Sequence, residues 1–411
     1  MKRTAIAVSI CFGLAPSAAL AFDWSLRTTQ SETLELNSNQ FLRTAPAGSL
    51  GSYSTITTNA EALTPTSKFD FDADGTYRKY WGPGANGIPE SLNYGFKGRY
   101  EVYEKNRSDK EYVEASWRQQ STALALLNQL GVVSNASGFL DQLTYNGGLD
   151  RSLTALDSVS LFATSTRTSY EPSSGGTPFT DTLARGSWRH SLSSISALNA
   201  SSEAELLDYE NATKTHVQIY RNQVGMDTTL SSVLSFRINA GIAYLETQGA
   251  AGTTAVIGGG TNGGSTAVSD WIGNANLTYR ILKNTTLAID ASQSIAPSIV
   301  GSLFKSDIVT TTLSHTINSR SSLSFSASAY RTISTITSDS VSASASYSHN
   351  LTRDLSASLT YRYLHRFAAT GGATIIDPIT GTPTVSGTGP ADSNSIMLVV
   401  SNSFTILPRG N

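Results

Sequence analysis

Residues 92–103 read LNYGFKGRYEVY, and their side chains alternate in chemistry. One set of alternate positions comprises Leu92, Tyr94, Phe96, Gly98, Tyr100 and Val102, and the other comprises Asn93, Gly95, Lys97, Arg99, Glu101 and Tyr103. Successive side chains of a β-strand point to opposite faces of the sheet. This stretch therefore predicts a strand with one apolar and one charged face.

The same alternation returns at 234–244 and at 355–363. Strand-like segments of this kind run to about 10–14 residues, against about 5–6 in ordinary soluble sheets, which suits a tilted crossing of a bilayer. The connections alternate in length as well. Short polar turns are predicted at Thr64–Ser67, Asn106–Asp109, Lys283–Thr285, Asn318–Ser321 and Thr352–Asp354, and longer connections at 80–90, 120–139, 248–266 and 368–394. Short periplasmic turns alternating with longer extracellular loops are typical of a bacterial outer-membrane barrel.

The fold class predicted from these patterns is all-β, a transmembrane antiparallel β-barrel of about 18 strands, with 16 to 18 compatible with the pattern. The strands are expected near 24–36, 52–63, 67–80, 91–104, 110–119, 140–151, 156–170, 178–190, 194–207, 215–228, 232–247, 266–281, 286–297, 303–317, 321–333, 338–349, 354–367 and 394–406. Alternation is weakest in 120–215, where Leu124–Leu130 could form a short helix in a loop. Leu398, Val400, Asn402 and Phe404 supply an imperfect closing strand, because seven residues follow Phe404.

The N-terminus predicts export. Lys2 and Arg3 precede an apolar run and a small-residue segment ending at Ala21, so 1–21 is expected to be a signal peptide cleaved before Phe22. The remaining 22–411 reads as one barrel domain, since no linker or charge block interrupts it. Two of the 29 basic residues lie in the signal, so the remaining chain has 27 basic and 31 acidic residues. Its formal charge of −4 does not favour nucleic-acid binding. The only cysteine, Cys11, lies in the signal as well.

Aromatic residues near strand ends predict interfacial girdles. Examples are Tyr77, Tyr80 and Trp81 on one strand, and Tyr361, Tyr363 and Phe367 on another. The opposite, polar face of the strands supplies the candidate pore-lining residues, which are Asp70, Asp72, Asp74, Arg78, Lys97, Arg99, Glu101, Arg237, Arg280 and Arg362. Their mixed signs predict weak ion selectivity, or pairs that cross the lumen and narrow it.

We identify no catalytic residues, no metal ligands and no cofactor site in the sequence. The segment 70–75, DFDADG, begins like a calcium-binding loop, but its twelfth position is Trp81 rather than an acid, so a strand with Asp70, Asp72 and Asp74 on one face is favoured. The five histidines lack ligand spacing. His190 and Ser191 are adjacent and would point to opposite faces of a strand, which argues against a hydrolytic pair. The glycine-rich stretch 258–264 lacks the Lys-Ser/Thr of a phosphate-binding loop.

The opening DWSL at 23–26, the motifs SET at 31–33 and LNSN at 36–39, and the block PTSKFDFDADGTYRKYWGPG at 65–84 resemble outer-membrane barrels associated with exopolysaccharide or exosortase systems. The resemblance covers about the first fifth of the chain. It implies a role in polysaccharide secretion or envelope export, and it brings no catalytic residues.

The sequence thus predicts a non-enzymatic channel or export conduit for a polar solute in the cell outer membrane. The expected partners are outer-membrane lipid, the barrel-assembly machinery and either polysaccharide or small polar solutes. A second hypothesis is a structural or surface-binding barrel with a plugged lumen. A third is a soluble periplasmic β-sandwich, because alternation also occurs in such folds.

Overall fold

The computed structural model describes residues 23–40, 42, 44–85, 90–103, 109–122, 138–171, 176–211, 214–248, 266–297, 303–333, 337–368, 375–376, 383–384 and 389–407. The predicted signal at 1–21, the Leu124–Leu130 segment and the glycine-rich stretch at 258–264 lie outside these residues.

The described chain is built almost entirely of strands. They are β1 (Asp23–Asn37), β2 (Ser49–Leu63), β3 (Ser67–Trp81), β4 (Ser91–Tyr103), β5 (Lys110–Ser121), β6 (Phe139–Ser152), β7 (Asp157–Glu171), β8 (Phe179–Ser191), β9 (Ser196–Tyr209), β10 (His216–Ser231), β11 (Leu234–Gln248), β12 (Thr266–Leu282), β13 (Thr285–Pro297), β14 (Leu303–Asn318), β15 (Ser321–Ile333), β16 (Thr337–Asn350), β17 (Leu355–Arg366), β18 (Ile375–Ile376), β19 (Pro383–Thr384) and β20 (Ala391–Leu407). A short 3₁₀ turn lies at Pro83–Ala85. Within the described ranges, no helix is both long and apolar enough to cross a membrane.

The sheet closes on itself. Strands β1–β17 and β20 form one 18-stranded antiparallel sheet in which each strand pairs with its sequence neighbours, and β1 pairs with both β2 and β20. Closure gives every strand a partner on both sides, so the sheet has no free edge to expose in lipid. The predicted barrel of about 18 strands is confirmed.

The strand bounds predicted from alternation lie within three residues of those observed. The closing strand begins at Ala391 rather than 394, and it extends to Leu407 in spite of its imperfect pattern. The two-residue strands β18 and β19 pair in a separate two-stranded sheet within 368–394, which the sequence predicts to be a loop throughout.

The two faces of the wall differ as the alternation predicts. Large apolar side chains on one face are exposed, among them Phe96 at 47%, Val224 at 67% and Leu359 at 50%. In water this exposure would be unfavourable, whereas on the outside of a barrel it provides the apolar band that lipid requires. This is the outward face, and the alternate residues of each strand form the inward face.

The two ends of the barrel differ in their connections. One end, here the turn end, carries short connections such as 232–233, 283–284 and 319–320, together with the first residue of β1 and the last of β20. The other, the loop end, carries the connections 38–48, 122–138, 249–265 and 367–390. The ten-residue apolar cluster of buried side chains lies entirely at the loop end of β8–β14.

Candidate functional site: the lumen wall

The structure places all ten predicted pore-lining residues on the inward face. On β3, Phe71, Tyr77 and Trp81 are exposed outward, so Asp70, Asp72, Asp74 and Arg78 alternate with them and point inward. The same alternation turns Lys97, Arg99 and Glu101 of β4, Arg237 of β11, Arg280 of β12 and Arg362 of β17 to the inside. Their part in permeation remains a prediction.

The inward charges on β3–β5, predicted on β3 and β4 and unpredicted on β5, form a ladder of ion pairs. Lys97 Nζ lies 3.4 Å from Asp72 Oδ2, and Arg118 Nη2 lies 2.8 Å from Asp74 Oδ1. The antiparallel register causes this, because it sets Asp72 opposite Lys97. Asn59 of β2 also donates to Asp72 Oδ1 at 2.7 Å. Cross-strand pairs of opposite charge stabilise a sheet locally.

Arg99 is the centre of this charged wall. Its Nη2 lies 2.5 Å from Glu101 Oε1, its Nη1 lies 3.5 Å from Glu114 Oε2, and its guanidinium carbon is 4.0 Å from the centroid of the Tyr112 ring. Glu101 also accepts a hydrogen bond from the Tyr103 hydroxyl at 2.6 Å. The contacts fix Arg99 against the wall.

The expectation that facing charges pair across the lumen is wrong for these residues. The ion pairs run sideways between strands at most two apart in the sheet, because the spacing of neighbouring strands brings inward side chains within reach of each other. Inward Arg118 and Arg237 keep 56% and 59% of their side-chain surface exposed.

A second charged group lies on β8–β11 and combines exposed and buried pairs. Asp227 pairs with Arg237 at 2.7 Å and also with Arg189. Towards the loop end, Arg221 pairs with Glu203 at 2.5 Å and with Glu205. The side chain of Glu205 is only 4% exposed, so Arg221 compensates a carboxylate that has lost its water.

A third part of the wall carries no charge. The inward positions of β14–β16 are dominated by serine and threonine, which are Ser306, Thr310, Thr312, Ser314 and Thr316 on β14, Ser322, Ser324, Ser326, Ser328 and Thr332 on β15, and Ser338, Ser340, Ser342, Ser344, Ser346 and Ser348 on β16. We call this surface the hydroxyl wall. Its hydroxyls pair across strands, as in Thr310 with Ser328 at 3.0 Å and Ser326 with Ser344 at 2.8 Å.

The loop end of the lumen is apolar on one side. Leu207, Val217, Ile219 and Leu245 lie on the inward face of β9–β11 and are at most 3% exposed. The cluster also contains Phe179, Tyr209, Ala243, Ile272, Ile295 and Leu303. Inward apolar residues at this end produce a dry patch beside an otherwise polar lumen.

Sequence reasoning missed several inward residues. Glu114 and Arg118 of β5, Glu203 of β9, and Arg221 and Asp227 of β10 were not proposed as pore-lining. Their signal was present, because each alternates with an outward residue just as Lys97 does. The hydroxyl wall had a signal too, in the repeated serines of 338–348.

Among the remaining sequence motifs, the calcium-like segment contributes its three aspartates to this wall. The calcium-like segment 70–75 lies within β3, as the strand interpretation predicts. Tyr80, which we predicted in a girdle, points inward and packs edge-on against Tyr53 with centroids 5.7 Å apart, whereas Tyr77 and Trp81 are exposed outward. His190 lies on the outward face, stacked on Trp188, with Nδ1 2.8 Å from Asp157 Oδ1.

At the loop-end rim, Glu90 just before β4 accepts hydrogen bonds from Lys79 and Tyr77 of β3. The distances are 2.5 Å from Lys79 Nζ and 2.6 Å from the Tyr77 hydroxyl. Donation from Lys79, followed by that from Tyr77, lowers the pKa of Glu90 below its usual value.

The site is the inner wall of a closed β-barrel. No family model matches this chain, and no curated protein is significantly similar to it. Among solved structures, the chain is similar to the ferric-catecholate import receptor Fiu from E. coli K12, with 10% identity, a TM-score of 0.46, and coverage of 92% of this chain and 81% of that one. It is similar to OccAB4 from Acinetobacter baumannii, with 10% identity, a TM-score of 0.45, and coverage of 93% and 98%. It is also similar to the siderophore receptor PirA from Acinetobacter baumannii, with 7% identity, a TM-score of 0.49, and coverage of 94% of this chain and 81% of that one. At these identities and TM-scores, the likenesses carry no information on a solute.

Proposed function

We propose that this chain is an outer-membrane channel or export conduit for a polar solute. The observation that carries the proposal is the exposure of inward Arg118 and Arg237, whose side chains remain more than half exposed inside a closed wall. Water must reach these groups, and barrels of 16–18 strands are wide enough to leave an aqueous channel. The exposed apolar outward face supports insertion in a bilayer, with the short turns on the periplasmic side.

The hydroxyl wall supports the proposal that the solute is uncharged and rich in hydroxyl groups. Serine and threonine hydroxyls both donate and accept hydrogen bonds, so they can exchange partners with the hydroxyls of a passing glycan without a charged anchor. The ion pairs of β3–β5 are neutralised locally and offer little net charge to a solute. A polysaccharide is therefore our proposed cargo, in agreement with the resemblance of residues 23–84 to barrels of exopolysaccharide systems.

The second candidate function is a structural or surface-binding barrel with a closed lumen. The specific observation in its favour is the apolar cluster at the loop end, where Leu207, Ile219 and Ala243 are fully buried. A barrel closed permanently at this end would carry no current.

Conductance separates the two functions. The purified mature chain, inserted in planar bilayers, is expected to give discrete current steps, and neutral oligosaccharides are expected to block them more strongly than charged uronate oligomers of equal length. The absence of current above background would reject the channel.

A matched pair of variants tests the hydroxyl wall. Ser326→Ala with Ser344→Ala removes a hydroxyl pair from the wall, and about tenfold weaker block by the neutral oligosaccharide is expected, the size of one or two hydrogen bonds. Thr144→Ala with Thr166→Ala removes a similar inward pair, 3.1 Å apart, from β6 and β7 outside the wall. Equal weakening in both variants would contradict a track along the hydroxyl wall.

A further inference from the structure

The ladder between β12 and β13 stops short of the loop end. Residues of β12 pair with β11 from Thr266 onwards, but they pair with β13 only from Gly273, which lies opposite Gln293. Beyond Gln293, β13 still pairs with β14, as far as Pro297 opposite Leu303. The β12–β13 seam is therefore open along the last residues of the wall at the loop end.

Beside the seam, the loop ends of β13 and β14 lie over the inner face of the neighbouring strands. Ile295 and Leu303 belong to the strand faces that elsewhere point outward, where Val309 is 48% exposed. Both are nevertheless buried in the apolar cluster that also contains the inward residues Ala243 and Ile272. The outer face of Ser294–Ala296 and Leu303–Lys305, here the tucked end, thus packs on the inner face of β10–β12.

Polar contacts fasten the tucked end. Lys305 Nζ lies 2.8 Å from Asp270 Oδ2, and Arg221 Nη2 donates to the carbonyl of Ile295 at 2.8 Å. Gln293 donates to the carbonyl of Trp271 at 2.8 Å, and Asp270 Oδ1 accepts from the Trp271 amide at 2.8 Å. Side chains therefore satisfy main-chain groups of β12 that a continued ladder would satisfy.

A second arrangement is available to the same residues. Continuing the register of Gly273 and Gln293 would place Trp271 opposite Ile295 and Asp270 opposite Ala296. Ile295 would then face outward beside Trp271, which is itself 67% exposed. The Ile295 side chain is removed from water in both arrangements, by the apolar cluster in one and by lipid in the other. Neither arrangement therefore exposes this apolar side chain to water.

We propose that the tucked end is the gate of the lumen. In the observed position it narrows the loop end. When it moves back into the wall and completes the β12–β13 ladder, a layer of sheet leaves the lumen and the conduit opens. Such an element with two packings of similar free energy is a common basis for switching. This inference rests on the proposed function, because it describes how the same lumen is regulated.

Crosslinking tests the two positions. A variant carrying Asp270→Cys with Lys305→Cys, joined by a short bis-methanethiosulfonate reagent, fixes the observed position and should abolish most of the current. A variant carrying Trp271→Cys with Ile295→Cys, joined by the same reagent, fixes the completed ladder and should raise the current. Each variant before crosslinking is its own baseline. Val309→Cys with Ala329→Cys joins residues already paired in the intact β14–β15 ladder, so no change is expected.

The fastening contacts give a second test. Lys305→Gln should raise the open probability about fivefold, the order expected for loss of one partly buried ion pair. Arg331→Gln is the control, because it breaks a loop-end pair with Asp339, at 2.8 Å, on the outward side of β15 and β16.

The outcomes distinguish failure of the gate from failure of the channel. Currents that are unaffected by either crosslink, or a Trp271–Ile295 link that never forms, would overturn the gate and leave the channel intact. A further variant replaces 294–305 by a short Gly-Ser turn, and its folding is checked by heat-modifiable migration in electrophoresis. If this variant and all others pass no current, the proposed function itself is rejected.

Discussion

At the scale of single residues, loss of the Arg221 side chain should be costly. Arg221 pairs with both Glu203 and Glu205, and its own side chain is 12% exposed. Arg221→Met would leave two neighbouring carboxylates in a dry environment, and removing one partner of a buried pair typically costs about 3–5 kcal/mol. We expect a loss of about 3 kcal/mol in the free energy of unfolding. Denaturant titration of the protein in lipid vesicles measures it.

The control for Arg221 is Arg167. Its ion pair with Glu210, at 3.2 Å, is 65% and 54% exposed, so Arg167→Met should cost less than about 0.5 kcal/mol. A similar loss in the two variants would show that burial of Glu205 is not what makes Arg221 important.

Glu90 provides a pH-dependent contact at the rim. Its pKa is lowered by Lys79 and Tyr77, so the contact is fully formed above the unfolded-state pKa and is lost as the pH falls through the lower, folded-state pKa. Lys79 Nζ also lies 5.7 Å from the centroid of the Trp81 ring. The fluorescence of Trp81 should therefore change in acid, below the ordinary range for a glutamate. Glu90→Gln should remove that transition, and a transition that persists in this variant belongs to another group.

For the strands, alternation against lipid is the dominant constraint. Val224, near the middle of β10, is 67% exposed on the outward face, whereas its neighbour Gln223 points inward. Val224→Arg should destabilise the inserted barrel by about 2–4 kcal/mol, the cost of arginine at the bilayer midplane, while Gln223→Arg should be tolerated. Unfolding in vesicles of matched thickness measures both. Equal costs would mean that the outward face does not meet lipid at this height.

The same constraint explains which elements the sequence could predict. Outward positions such as Phe96 and Leu359 must be apolar wherever the strand crosses lipid, so the alternation reveals each strand to within three residues. The seam could not be predicted. Ile295 and Leu303 keep the phase of lipid-facing residues, and only the end of the β12–β13 ladder at Gly273 turns that face into the lumen. The local sequence pattern determines which face of a strand is apolar, but not which residues that face packs against.

In the whole molecule, most inward charges on β3–β5 and β8–β11 are balanced by oppositely charged neighbours on the same wall. Because Asp72 is held by Lys97 and by Asn59, the wall presents little net field, and the native channel should discriminate weakly between ions. The pairing could not be read from composition, since the register of β3 against β4 decides it.

Local balance makes single charge changes informative. Asp72→Asn leaves Lys97 without its carboxylate and should shift the reversal potential in a potassium chloride gradient towards anion preference. Ser344→Asp adds a carboxylate to the hydroxyl wall, where neighbouring inward positions of β15 and β17 are Ser326 and Arg362, and should shift it towards cation preference. A smaller shift is expected for Ser344→Asp than for Asp72→Asn, because Arg362 screens the new charge. Shifts of the same sign in both variants would contradict the passage of ions along these two walls.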